Sequence, residues 1–96
     1  MIDITNEELL TIKAVMAKHV PEAEVRAFGS RLTRAATALS DLDLVIKASD
    51  KIDRMTLIRL KEDLEDAPVS FRVDIVDWHR CSPEFREITE QHYEVI

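Results

Sequence analysis

Apolar residues recur at spacings of three and four over the first twenty positions and then at spacings of two. This change of period divides the chain into elements. Leu9, Ile12, Met16 and Val20 form a helical stripe. Thr5 followed three residues later by Glu8 is a capping box, and Ile4 with Leu9 has the spacing of a hydrophobic staple. Pro21 ends that helix. Residues 24–28 (EVRAF) alternate as a strand does and run into Gly29-Ser30, where Ser30 can cap a short helix through RLTRAATA. Leu42, Leu44 and Ile46, together with Val45, predict a second strand with Asp41 and Asp43 at its start. Residues 52–66 predict a helix, with Leu57, Leu60 and Leu64 on one face, Lys61, Glu62, Asp63 and Glu65 outward, and Pro68 beyond its end. Phe71, Val73 and Ile75 alternate with Arg72, Asp74 and Val76, which predicts a third strand carrying Asp74 on its second face. Ser82-Pro83 opens a last helix with Phe85 and Ile88 inward. The tail QHYEVI carries apolar residues that can pack on the body or on a partner. Helices alternating with three short strands predict an α/β or α+β layer fold.

The length of 96 residues makes this a single domain over 1–96, with no repeat or linker to divide it. Nineteen acidic residues against thirteen basic ones give a net charge of -6, which argues against a broad electrostatic grip on nucleic acid. A single nucleotide is still allowed, because a bound metal supplies local positive charge. Cys81 is the only cysteine, so no internal disulfide can form and a reducing compartment fits. The start MIDITNEELL has no basic region or long apolar run, and no stretch approaches the roughly 20 apolar residues of a membrane span. A cytoplasmic protein is expected.

The candidate chemistry centres on Gly29, the only glycine. Glycine lets a backbone approach a ligand closely. Ser30 follows it, and Asp41 and Asp43 come ten residues on, two apart, so that both point to one face of a strand. Backbone amides suit phosphate oxygens and paired carboxylates suit Mg²⁺, so this is the outline of a nucleotide–metal site. Blander readings exist for each residue. Asp41 and Asp43 can cap a strand beside Ser40, Asp77 competes with Asp74 for a site role, and Arg72 can engage Asp74 in a cross-strand ion pair. Arg31 can be a solvated helix residue, and Trp78 and Tyr93 read as packing or interface residues. His79 and Cys81 are two apart, too few for a zinc site.

The run AFGSR…SDLDLVI (27–46), followed by FRVDIVDW (71–78) and SPEFREI (82–88), resembles the nucleotidyltransferase superfamily with the polymerase β palm fold. Within that superfamily it is similar to the MntA-type minimal nucleotidyltransferases, antitoxin subunits encoded beside a HEPN-domain protein. The resemblance implies a small mixed sheet with helices mainly on one face. It also implies two Mg²⁺ ions and ATP as substrate. Carried over by position, Asp41, Asp43 and Asp74 would be the catalytic metal ligands, Asp74 also the base. Gly29, Ser30 and Arg31 would hold the phosphates. AMP would pass to a hydroxyl, expected to be tyrosine, of a HEPN-type toxin in a hetero-oligomer. Many relatives carry a second loop glycine where this chain has Arg34-Ala35-Ala36. Two rivals remain open: a non-catalytic subunit that neutralises its partner by covering it, and a small-molecule nucleotidyltransferase.

Overall fold

The structure, a computed structural model, describes residues 4–28, 42–69 and 71–96. Helix α1 spans Asn6–His19 and starts where the capping box requires. Thr5 Oγ1 accepts from the Glu8 amide at 3.1 Å, and Glu8 Oε1 accepts from the Thr5 amide at 3.2 Å. Two of the four amides that every helix start leaves open are thereby satisfied. Strand β1 is Glu24–Phe28 and β2 is Leu42–Lys47. Helix α2, Arg54–Asp66, is capped by the Asp53 carboxylate, which accepts from the amides of Met55 and Thr56. Strand β3 is Val73–Asp77, followed by a single 3₁₀ turn at Trp78–Arg80. Helix α3, Pro83–Gln91, is capped by Ser82, and β4, Glu94–Val95, closes the chain.

The four strands form one mixed sheet in the order β3-β2-β1-β4. β2 and β3 are parallel and joined through α2, a βαβ unit; β1 pairs antiparallel with both β2 and β4. The tail therefore packs on the body by adding a fourth strand. Val95 pairs with Arg26, and the Ile96 amide donates to the Val25 carbonyl at 3.0 Å.

Alternation along the strands assigns the two faces. Val25 and Ala27 of β1, Leu42, Leu44 and Ile46 of β2, and Ile75 of β3 form one core with Ile12 and Met16 of α1 and Leu60 and Leu64 of α2. The opposite face carries Arg26 and Phe28, then Asp43, Val45 and Lys47, then Asp74 and Val76. Helix α3 covers part of this second face, where Phe85 meets Phe28 edge-on at 6.0 Å and Val45 is fully buried.

The structure corrects two expectations, the burial of Ile88 and the start of α2. Ile88 is 57% exposed, whereas Thr89 is fully buried and donates through Oγ1 to the Arg86 carbonyl at 2.8 Å. At about 100° per residue, Phe85, Arg86, Thr89 and Glu90 share one face and Ile88 rotates off it. The short helix follows Phe85 and the aromatic contact, and Ile88 is left outward. The second helix also begins two residues later than expected, because the Asp53 cap fixes its start.

Candidate functional site

Two of the three sequence-designated acids meet in the sheet. Asp43 of β2 and Asp74 of β3 are direct register partners in the parallel ladder. Paired residues on adjacent strands point to the same face and lie about 4.8 Å apart across the sheet. Leu42 N–H donates to the Arg72 carbonyl at 2.8 Å, which extends the ladder to the residues before β3 and fixes this register. Asp43 is half-buried, with Phe28, the last residue of β1, as its partner on the other side. The apolar core beneath the pair holds the strands while the carboxylates stand on the opposite, more open face. Gly29, Ser30, Arg31 and Asp41 lie outside the described residues, as do Arg34-Ala35-Ala36.

Asp74 pairs with Arg72 along its own strand line, not across strands as the blander reading expects. Arg72 Nε lies 3.2 Å from Asp74 Oδ1, with the Arg72 side chain 75% exposed and the carboxylate 40% exposed. The two residues are on the same strand line, two apart, and so share a face. Such solvated pairs contribute about 0–1 kcal/mol. The carboxylate therefore keeps its capacity to accept further bonds.

Asp77 does not compete for the site. It is three residues from Asp74 and so points to the other face, where it is almost fully buried. Oδ2 accepts from the Ile52 amide at 2.8 Å and pairs with Arg80 Nε at 3.3 Å; Oδ1 accepts from the His79 amide at 3.1 Å. Its work is to tie the segment before α2 to the turn after β3. His79 and Cys81 are taken by main-chain carbonyls as well: His79 Nε2 meets Ala48 O at 2.7 Å, and Cys81 Sγ donates to Asp77 O at 3.2 Å. Burial pushes the Cys81 thiol above its ordinary range; nearby Arg86 opposes that shift and Asp77 adds to it.

The face that bears Asp43 and Asp74 also holds a cationic cluster that the residue pattern did not reveal. Lys47 Nζ and the Arg86 guanidinium lie 4.3 and 4.2 Å from the centre of the Trp78 ring. Arg86 also donates to the carbonyls of Trp78 and His79 at 2.9 and 3.1 Å, anchoring α3 to the end of β3. Trp78 is thus a packing residue. Nearby, nearly buried Arg26 pairs with Glu24 at 2.6 Å and stacks on Tyr93 at 4.4 Å. The alternation of Asp43 with Lys47 along β2 was the available signal, but the contribution of α3 required knowing its rotation.

Residues 11–96 match the family model described as polymerase beta, nucleotidyltransferase. The chain belongs to the polymerase β nucleotidyltransferase family. A Haemophilus influenzae relative named probable protein adenylyltransferase MntA is 41% identical over 95 residues, covering 99% of this chain and 83% of the relative. A solved toxin–antitoxin structure with AMP-PNP superposes with a TM-score of 0.78 at 22% identity, covering 95% of this chain and 72% of that one. A complex of a tri-AMPylated Shewanella oneidensis HEPN toxin with an MNT antitoxin superposes at 0.68 and 18% identity, over 92% and 70% of the two chains. These two structural likenesses show the nucleotidyltransferase fold. The parallel β2–β3 pair of this family member holds Asp43 and Asp74 side by side.

Proposed function

We propose that this family member is a Mg²⁺-dependent adenylyltransferase that moves AMP from ATP to a hydroxyl, that of a tyrosine, on a HEPN-type toxin and so acts as its antitoxin. The observation that carries the reading is the register pairing of Asp43 with Asp74 on one open face of the sheet. The 41% identity to the Haemophilus influenzae relative, named as a protein adenylyltransferase, supports AMP and a protein acceptor. The HEPN partner is supported by the fold shared with the antitoxin in the AMPylated complex, and ATP by the fold shared with the AMP-PNP complex.

The donor set fits the metal. Two hard carboxylate oxygen donors on neighbouring strands suit Mg²⁺, which prefers one or two carboxylates with substrate phosphates and water completing its shell. Asp43 and Asp74 would hold it together with Asp41. When bound, Mg²⁺ supplies charge stabilisation to the phosphoryl oxygens and the leaving group. The chain's own groups do the rest. Gly29 and Ser30 would hold the β- and γ-phosphates, with Arg31 available to the same oxygens. Asp74 would accept the acceptor hydroxyl's proton. The hydroxyl oxygen then attacks the α-phosphorus, the bond from that phosphorus to the bridging oxygen breaks, and pyrophosphate leaves with the electron pair. The single domain over 1–96 would supply all of these residues, with the acceptor provided by the partner. Among the described residues no helix is long and apolar enough to cross a membrane. With one cysteine and no possible internal disulfide, this fits a cytoplasmic site of action.

Intact-mass analysis tests the reading. With ATP and Mg²⁺, the co-purified HEPN-type partner is expected to gain the mass of one or more AMP groups, and chelation by EDTA should stop the gain. A partner neutralised in the complex with no mass change would favour the covering subunit instead.

A further inference from the structure

Helix α3 bridges the face that bears the acidic pair, and three contacts hold it there. Near its start Arg86 grips the end of β3, donating to the Trp78 and His79 carbonyls at 2.9 and 3.1 Å. Farther along, Glu90 lies 3.8 Å from Arg26 of β1. The third contact is Phe85, whose ring meets that of Phe28 edge-on, at 6.0 Å and 81°. On β2, Arg26 faces the fully buried Val45, whereas Phe28 faces Asp43. Phe28 and Phe85 are both half-buried. The aromatic contact therefore marks where the helix cover ends and the acidic pair begins.

Asp43 thus stands between Asp74 on one side and Phe28 on the other. Register partners in an antiparallel pair have Cβ atoms about 4.5–5.5 Å apart, so the Phe28 ring is one rotamer step from the Asp43 carboxylate. An edge-to-face contact fixes the orientation of both rings. Phe85, itself fixed by the Arg86 anchor beside it, holds the Phe28 ring toward α3. Without Phe85, the Phe28 ring regains the rotamers that lean over Asp43. Mg²⁺ keeps several waters when one or two carboxylates hold it. An aromatic ring over Asp43 leaves no room for those waters.

We propose that Phe85 is a positioning residue for the acidic pair: through Phe28 it holds an aromatic wall clear of Asp43, so that the carboxylate stays open, beside Asp74, to a hydrated divalent cation. The inference rests on the metal-dependent reading above. Neither phenylalanine takes part in the reaction itself; both act through Asp43.

Two variants test it. Phe85→Ala removes the ring, while Phe85→Leu keeps apolar bulk without the ring and decides the matter where the alanine variant does not fold. Asp77→Ala is the control, because it loosens the chain from the opposite face. Mn²⁺ binding to each chain in its complex with the partner, read by EPR with a non-hydrolysable ATP analogue, reports on the acidic pair without turnover. Phe85→Ala is expected to weaken Mn²⁺ binding at least about tenfold and Phe85→Leu about threefold, with KM for the partner within about twofold. Transfer at limiting Mg²⁺ should fall by similar factors, and excess Mg²⁺ should recover most of it. Asp77→Ala should bind Mn²⁺ as the wild type does. Wild-type Mn²⁺ affinity in the Phe85 variants, or an equal loss in Asp77→Ala, would overturn the positioning role and leave the transfer reading standing. A wild-type complex that neither binds Mn²⁺ nor transfers AMP would remove the metal reading and the positioning role together.

Discussion

Three aspartates at the ends of two strands do different work because of their parity. Asp43 and Asp74 are register partners and share a face; Asp77 is an odd step from Asp74 and is buried on the other. Residue types alone leave Asp74 and Asp77 as competitors, but the odd offset already separated them, since no strand puts both on one face. What the sequence could not supply was the set of partners: the amides of Ile52 and His79 and the Arg80 guanidinium. Replacing Asp77 with alanine leaves the buried Ile52 amide, the part-buried His79 amide and the Arg80 cation without this acceptor. Asp77→Ala is therefore expected to cost about 2–4 kcal/mol in urea unfolding. Because it stands away from the acidic pair, the folded fraction should keep its transfer rate.

Between elements, α1 and α2 are joined by an electrostatic contact at their outer edge. Asp63 of α2 accepts from His19 at 2.5 Å and from Lys18 at 3.2 Å, both in the last turn of α1. The His19 hydrogen bond, and then that of Lys18, hold the Asp63 carboxyl below its ordinary 3.8. The folded state thus binds this proton less readily than the unfolded chain. The resulting stability is present above the unfolded carboxylate value and is lost as pH falls through the folded one. The stability difference between the wild type and Asp63→Asn should hold at pH 5 and shrink below about pH 4, as read from thermal midpoints. Helix periodicity made Leu60 and Leu64 legible as core, and the cap residues fixed where α1 and α3 begin. The rotation of α3 was not legible. Nine residues with only Phe85 and Ile88 as large apolar positions leave its phase open until Phe28 and Trp78 are in place.

For the whole molecule, the alternation of helix and strand indicated the layer fold, and the GS…DLD run indicated its family. The β2-α2-β3 crossover then makes β2 and β3 parallel neighbours, which brings acids thirty-one positions apart into one register pair. The fourth strand escaped notice because two residues carry no readable alternation; only pairing with β1 defines it. That β3 stands at one end of the sheet among the described residues follows from strand order, a property no local pattern encodes. On the proposed reading, the face bearing Asp43 and Asp74 performs the transfer. Its most direct test is Asp43→Asn, purified with the HEPN-type partner and incubated with ATP and Mg²⁺, with the partner's intact mass as readout. The substitution keeps the side-chain shape on a half-buried strand position, so the fold and the complex should persist while the added AMP mass disappears. A partner that still gains AMP at the wild-type rate would contradict the account.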